Sequence, residues 1–350
     1  ETTGTITRKQ LKEVKDKMDC DWPDWLMQNK IARGVYRLPN SEMPMKELKI
    51  VSIPKGGDSL VPEKDPNFVP FGNFKDLESI IKSGIFYPAY IYGPTGNGKS
   101  TTVEQICAKL QRQVIRINLN SMTDEDQLIG TKTLTDGNVE VIEGPIVKAM
   151  RMGYVLLLDE IDAGNANTLL CLQPILEGKP FYFKLKNEMI TPTVGFNIFA
   201  TANTKGKGSE DGRYIGTNIL NEAFLERFAV TMVQEYPSSA VELKIVSNVM
   251  NQFSCYDEEF AKDLVRWADT IRRTFDDGGI DENITTRRLI HIVKSFSIFN
   301  DKKKSVELCV NRFDESTRTS FIDLFDKIIT EESGVQIIID EYENLIQNVG

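Results

Sequence analysis

Eight residues, Gly93 to Ser100 (GPTGNGKS), have the types and spacing needed to hold a chain of phosphates. They satisfy the pattern G-x-x-x-x-G-K-[S/T] at Gly93, Gly98, Lys99 and Ser100, between an apolar run and a helical pattern. Glycine lets the backbone fold tightly enough to turn its N–H groups inward onto anionic oxygens. A helix starting here aims the positive end of its dipole at the same oxygens. Lys99 is placed to reach the β and γ phosphates, and Ser100 to ligate Mg²⁺. The implied ligands are ATP and Mg²⁺. The expected contact residues are Gly93, Pro94, Thr95, Gly96, Asn97, Gly98, Lys99, Ser100 and Thr101.

A second group of polar residues sits where strands end. VLLLDE, Val155 to Glu160, puts two acids directly after a continuous apolar run. Asp159 can hold Mg²⁺ through water, and Glu160 can orient and polarise an attacking water. A pair of acids could instead only cap the next helix. With a phosphate loop about 60 residues upstream the catalytic assignment is preferred, and Glu160 favours hydrolysis over mere binding. Asn203 closes the next apolar run (IFATAN), at the carboxyl edge where α/β sheets bind ligands.

Two arginine positions complete the set. Arg227 ends the helical pattern NEAFLERF, and its permanent, forked charge suits a phosphate transition state. It falls too far along the fold to serve its own phosphate loop, so it is assigned to a neighbouring subunit; the alternative is a surface ion pair with Glu222 or Glu226. TTRRLI, Thr285 to Ile290, opens a later helix with Arg287 and Arg288. One of them is expected to reach the γ-phosphate of its own chain, and Arg287 is the choice.

The elements that must position these groups are legible as pattern. Apolar runs at Ala89–Tyr92, Val114–Asn118, Tyr154–Leu158 and Phe196–Ala202 alternate with helical stretches at Lys75–Lys82 and Lys99–Leu110. Short buried strands alternating with helices imply a parallel sheet covered on both faces. After Pro237 the pattern turns helical, over Ala240–Met250, Glu258–Thr274, Thr285–Phe299 and Thr317–Ile329. The tail VQIIIDEYENLI fits a strand or a helix equally. The expected organisation is an N-terminal helical segment over 1–48, a linker or arm over 49–74, an α/β nucleotide-binding domain over 75–236, and a helical lid with tail over 237–350. The N-terminal segment has helical spacing from Arg8 to Met18, followed by Trp22 and Trp25 around Pro23. These tryptophans either close a small core or form a partner-docking surface.

Composition narrows the function class. Of 350 residues, 41% are hydrophobic and 27% charged, as in an ordinary folded protein. The net charge of −9 argues against broad electrostatic capture of nucleic acid or anionic membrane. No apolar run spans a bilayer and the N-terminus lacks a signal-like stretch, so a cytoplasmic protein is expected. The five cysteines, Cys20, Cys107, Cys171, Cys255 and Cys309, are scattered and form no CxxC, which suggests reduced thiols, with Cys107 and Cys171 as small core residues. With His291 the sole histidine, a histidine–cysteine metal site within the chain is not expected.

Taken together these residues resemble the AAA+ superfamily, in the branch of the MoxR-type ATPases and the cobaltochelatase ATPase subunit CobS, including CobS-like proteins of large phages. The resemblance runs from Val61–Gly72 to Ile290. It rests also on Asp124–Met150, LLLDEIDAGN, Leu172–Gly178, FNIFATANTKGKGSEDGRYIGTN and LNEAFLERF. It implies a P-loop α/β core followed by an all-helical lid, with Asn203 as sensor 1, Arg227 as the finger acting in trans and Arg287 as sensor 2. It also implies hairpins at Thr133–Ile142 and Phe181–Ile190 that line or cap a ring pore. The implied assembly is a homo-oligomeric ring, a hexamer, working on a partner protein such as a von Willebrand-type, CobT-like subunit. One departure is that Thr285-Thr286 stands where the family often has Ser-Pro before sensor 2. Two other readings are a nucleic-acid-linked motor, with FKLKN and KGKG as a local basic rim, and a nucleotide-dependent scaffold without motor activity.

Overall fold

Short, largely apolar runs form the parallel sheet of the second of two units. In this computed structural model, residues 59–135, 138–208 and 216–330 are described, together with three strands within residues 1–58. The chain divides into two units, residues 1–58 and 59–350. In the first unit β1 (Thr5–Thr7), β2 (Lys30–Ala32) and β3 (Val35–Arg37) form an antiparallel sheet in the order β1-β3-β2. The expected helix at Arg8–Met18, the Trp22–Trp25 pair and the C-terminal tail lie outside the described residues.

In the second unit, α1 (Phe74–Ser83) leads to β4 (Ala89–Tyr92), α2 (Lys99–Leu110), β5 (Val114–Asn118) and α3 (Glu125–Ile129). The hairpin β6 (Gly130–Thr135) and β7 (Asn138–Glu143) follows, then α4 (Pro145–Met152) and β8 (Val155–Asp159). A second hairpin, β9 (Phe181–Phe183) and β10 (Glu188–Ile190), precedes β11 (Asn197–Ala202) and β12 (Val230–Val233). Five strands form one parallel sheet in the order β12-β4-β11-β8-β5. The α/β core with a parallel sheet expected from the sequence is therefore present. The edge strand β12 was not among the expected strands; its four residues alternate between half-buried and exposed and give little hydrophobic signal.

Side-chain alternation along the strands splits the interior in two. Tyr90, Leu156, Leu158, Ile198 and Ala200 face one side, where Ile146, Val147 and Met150 of α4 cover them. Ala89, Ile91, Val155, Leu157 and Phe199 face the other, against Leu77 and Ile81 of α1 and Val103 and Ile106 of α2. With both faces buried, the carboxyl edge of the sheet is the open margin, and the strand-end residues gather there. The base of the first hairpin is tied to the turn end of the second: Lys186 Nζ lies 2.7 Å from Glu143 Oε1, and Arg151 pairs with both Glu143 and Glu188.

The lid is helical throughout: α5 (Ser239–Gln252), α6 (Glu258–Asp276), α7 (Thr286–Phe299), α8 (Lys302–Val310) and a last helix from 315. Its core is built on Trp267, whose indole N–H donates to the Phe321 carbonyl at 2.8 Å, with Phe321 and Phe325 packed edge-on against it and Phe260 edge-on against Phe325. Side-chain caps start four of these helices: Asp257 for α6, Thr285 for α7, Asp301 for α8 and Asp314 for the last. The four described cysteines are free thiols; Cys107 is buried in the core and Cys171 is half-buried against it. Among the described residues no helix is long and apolar enough to cross a membrane.

Candidate functional site

The loop between β4 and α2 is shaped by close approach as much as by turn geometry. At Gly93 (φ +154°) a Cβ atom would lie 2.0 Å from the Gln234 carbonyl oxygen, so only glycine fits. At Gly96 (φ +69°) a Cβ would come within 2.9 Å of both Cβ and Oγ1 of Thr285, at the head of α7. The loop is thus pressed between the strand-end segment at Gln234 and the lid. Asn97 is buried, with its amide donating to the Gln234 carbonyl. The Tyr236 hydroxyl donates to the Thr95 carbonyl at 3.0 Å.

Lys99 opens α2 and is buried. Its ammonium donates to the carbonyls of Gly93 at 2.7 Å and Pro94 at 2.8 Å, and to the side-chain oxygen of Asn203 at 3.2 Å. Burial pushes its pKa down to about 8; the nearby carboxylates of Asp162 and Asp159 oppose that shift, and the Arg287 charge adds to it. Lys99 and Asn203, 104 residues apart in sequence, therefore meet at the mouth of the loop.

Asp159 ends β8 with its carboxylate fully engaged. Ser100 Oγ donates to Oδ1 at 2.5 Å, Thr201 Oγ1 donates to the same oxygen, and Arg116 of β5 binds Oδ2. Burial works against ionisation, but the hydroxyls of Ser100 and Thr201 and the Arg116 charge outweigh it and hold the carboxyl below its ordinary value. Ser100 and Asp159 thus present oxygens side by side, the donor type that a hard divalent cation takes. Glu160 follows in a left-handed backbone conformation (φ +57°), uncommon outside glycine. It is exposed, and among the described residues no hydrogen bond or ion pair engages its carboxylate.

Several participants escaped the sequence reading. Asp162 is fully buried, and its Oδ2 accepts from the backbone N–H of Asn203 at 2.9 Å, from that of Thr204 at 2.9 Å and from the Thr204 hydroxyl at 3.0 Å. It fastens the end of β11, and with it Asn203, to the turn after β8. A third acid two residues beyond Glu160 was its only sequence signal. Thr201 and Arg116, both on Asp159, had only their places in strand patterns.

Beside the loop lies a cavity of about 390 Å³. Phe68, Val69 and Phe71, from the stretch preceding α1, form one wall; Ile245, Val249 and Ile290 of the lid form another. Gly96, Asn97, Gly98 and Thr101 line its loop side, with the cations Arg287 and Lys294 at the lid side. Apolar walls suit a flat heterocycle, and the loop with its cations suits an anion. The segment expected only to link or brace the core thus also lines this cavity.

The structure separates the two arginines of α7. Arg287 lines the cavity, and its backbone N–H faces the Gly96 carbonyl at 3.4 Å. Arg288 lies with Arg312 and Phe313 around a different, smaller cavity. Arg227 does not join the cluster. Its guanidinium pairs with Glu177 at 3.3 Å, rather than with Glu222 or Glu226, and donates to the Ala223 carbonyl.

Comparison with known proteins finds matches along most of the chain. The family model described as "AAA domain (dynein-related subfamily)" matches residues 88–228, and that described as "CbbQ/NirQ/NorQ C-terminal" matches residues 242–336. The chain is similar to the aerobic cobaltochelatase subunit CobS of Sinorhizobium sp., with 27% identity over 90% of this chain and 99% of the relative. It is also similar to an uncharacterized protein of Staphylococcus saprophyticus, with 30% identity over 62% of this chain and 80% of that protein. Among solved structures, the Thermotoga maritima RuvB Holliday junction branch migration motor aligns at 15% identity and a TM-score of 0.41. It covers 72% of this chain and 79% of that one.

Proposed function

Because the chain belongs to the AAA+ ATPases, in their MoxR/CobS-like branch, we propose that it hydrolyses Mg²⁺-ATP as a ring and uses the cycle to remodel a partner protein. The observation that carries the reading is the convergence of Lys99, the Ser100–Asp159 pair and Asn203 about the loop whose residues Gly96, Asn97, Gly98 and Thr101 line the neighbouring cavity. Ser100 and Asp159, the latter through water, would hold Mg²⁺, which supplies neutralisation of phosphate charge.

The chain's own groups divide the work as follows. The loop N–H groups and Lys99 bind and orient the phosphates. Phe68, Val69 and Phe71 shelter the base. Asn203, held by Asp162, orients the water to be activated. Glu160, exposed and without a partner among the described residues, accepts that water's proton. Arg287 contacts the γ-phosphate from the lid of its own chain. Arg227, lying apart from this cluster, serves the site of the next subunit and makes the ring part of the mechanism. By similarity to CobS the ring is a hexamer in the cytoplasm, acting on a CobT-like subunit in metal insertion or a related task. The test is ATP turnover against protein concentration, with assembly size measured in parallel. A rise in specific activity as the ring forms is expected; constant specific activity from a monomer would refute the shared site.

A further inference from the structure

The pair Thr285-Thr286, which departs from the family's usual Ser-Pro, has a physical role in this fold. Thr286 is buried, and its hydroxyl donates to Glu242 Oε1 at 2.6 Å. Proline could not make that bond. Glu242, on the first turn of α5, is itself buried and accepts two further bonds from the Arg272 guanidinium, both 2.8 Å. Arg272 Nε donates to the Ile284 carbonyl at 2.8 Å, which fixes the chain just before α7. The Arg272 guanidinium lies 4.1 Å from the centre of the Tyr236 ring, and the Tyr236 hydroxyl reaches the phosphate loop at Thr95.

The circuit closes on the loop's other side. Thr285 caps α7 by accepting from the Arg288 N–H at 3.1 Å, and its side chain abuts Gly96. The next residue, Arg287, stands at the cavity. A buried ion pair is a weak source of net stability, since desolvation consumes most of the attraction. Its bidentate geometry and the third bond from Thr286 supply direction instead: they leave one seat for the start of α7.

We propose that Glu242, Arg272, Thr286 and Tyr236 are positioning residues that set Arg287 against the nucleotide and tie the lid's seat to the conformation of the phosphate loop. The inference rests on the reading of Arg287 as a γ-phosphate contact. The test measures ATP and ADP affinity by calorimetry for Thr286→Val, Thr286→Ser, Tyr236→Phe and Arg287→Ala. Thr286→Val and Tyr236→Phe each remove one hydrogen bond and keep the packing. Each is expected to lower ATP affinity about fivefold while ADP affinity stays within about twofold. Thr286→Ser keeps the hydroxyl and should restore the ATP preference. A merely structural role would weaken ATP and ADP equally, or lower only the melting temperature, and either result overturns the proposal. If Arg287→Ala lowers the ATP preference while Thr286→Val and Tyr236→Phe do not, the positioning circuit is wrong and the reading of Arg287 stands. If Arg287→Ala itself leaves the preference unchanged, the reading of Arg287 fails.

Discussion

Gly96 occupies a position that the phosphate-loop pattern leaves unspecified, yet the fold requires glycine there for two separate reasons. Its backbone is left-handed (φ +69°), which costs an alanine about 1 kcal/mol. A Cβ would also meet Cβ and Oγ1 of Thr285 at 2.9 Å. Thr285 cannot swing aside freely, because its hydroxyl caps the Arg288 N–H and losing that cap costs about 1 kcal/mol. Backbone adjustment to relieve an overlap of this kind costs about 1–3 kcal/mol. Gly84 is the control, with φ +66° and nothing within 4 Å of its would-be Cβ. Gly84→Ala should lose about 1 kcal/mol of stability in a denaturant melt and keep ATP affinity within about twofold. Gly96→Ala should lose a similar amount of stability, and the steric part should appear in binding, because the loop and the lid can relax apart until the nucleotide draws them together. Each 1.4 kcal/mol is about tenfold in affinity, so a steric cost of about 1–3 kcal/mol should show in calorimetry as ATP binding at least about fivefold weaker. Unchanged stability and unchanged ATP affinity in Gly96→Ala would refute the argument from close contact.

Three further outcomes are expected. Glu160→Gln should bind ATP and assemble normally while turnover falls about 10²–10⁴-fold, and adding Arg227→Ala subunits, themselves inactive, should restore part of the turnover in mixed rings; full turnover by Glu160→Gln alone would remove it as the base. Asp162→Ala strips the acceptor from two backbone N–H groups and a hydroxyl, so stability should drop by about 2–4 kcal/mol in a denaturant melt. In the same variant turnover should fall more than ADP affinity, because Asn203 loses its anchor; equal losses would confine Asp162 to stability. Burial of Asp257 disfavours its charge, but Lys302 and the capped Phe260 N–H outweigh this and hold its carboxyl below the ordinary value of 3.8. A carboxyl depressed in the fold contributes stability that is present above its unfolded value and lost as pH falls through the folded one. Acid melts should therefore show a loss below pH 3.8 that Asp257→Asn lacks, and identical acid limbs would count against the Lys302–Asp257 pair.

The sequence by itself determined whatever depends on neighbours along the chain. GPTGNGKS was legible because the turn, the lysine and the helix start all fall within eight residues. VLLL and NIFATA were legible because strands buried on both faces are largely apolar rather than alternating. The lid helices showed as amphipathic spacing, and the carboxyl-edge rule brought Asp159 and Asn203 into one site from pattern alone. Only the tertiary structure decided the contacts between residues far apart in sequence. Asp162 and Asn203 are 41 residues apart, Arg116 and Asp159 43, and Arg227 and Glu177 50. Each is an ordinary polar residue until the strand order sets it beside its partner. The same holds for Phe68, Val69 and Phe71, which resemble a linker in sequence and line a cavity in space. It holds for β12, too short and half-exposed to show a period, and for Gln234 and Tyr236 just beyond it, which hold the phosphate loop. Arg287 and Arg288 are adjacent and identical in type; only the orientation of α7 sends one to the cavity beside the phosphate loop and the other to a smaller one. Local pattern specifies backbone conformation and burial, whereas the pairing of one buried polar group with another depends on the packing geometry of the whole domain.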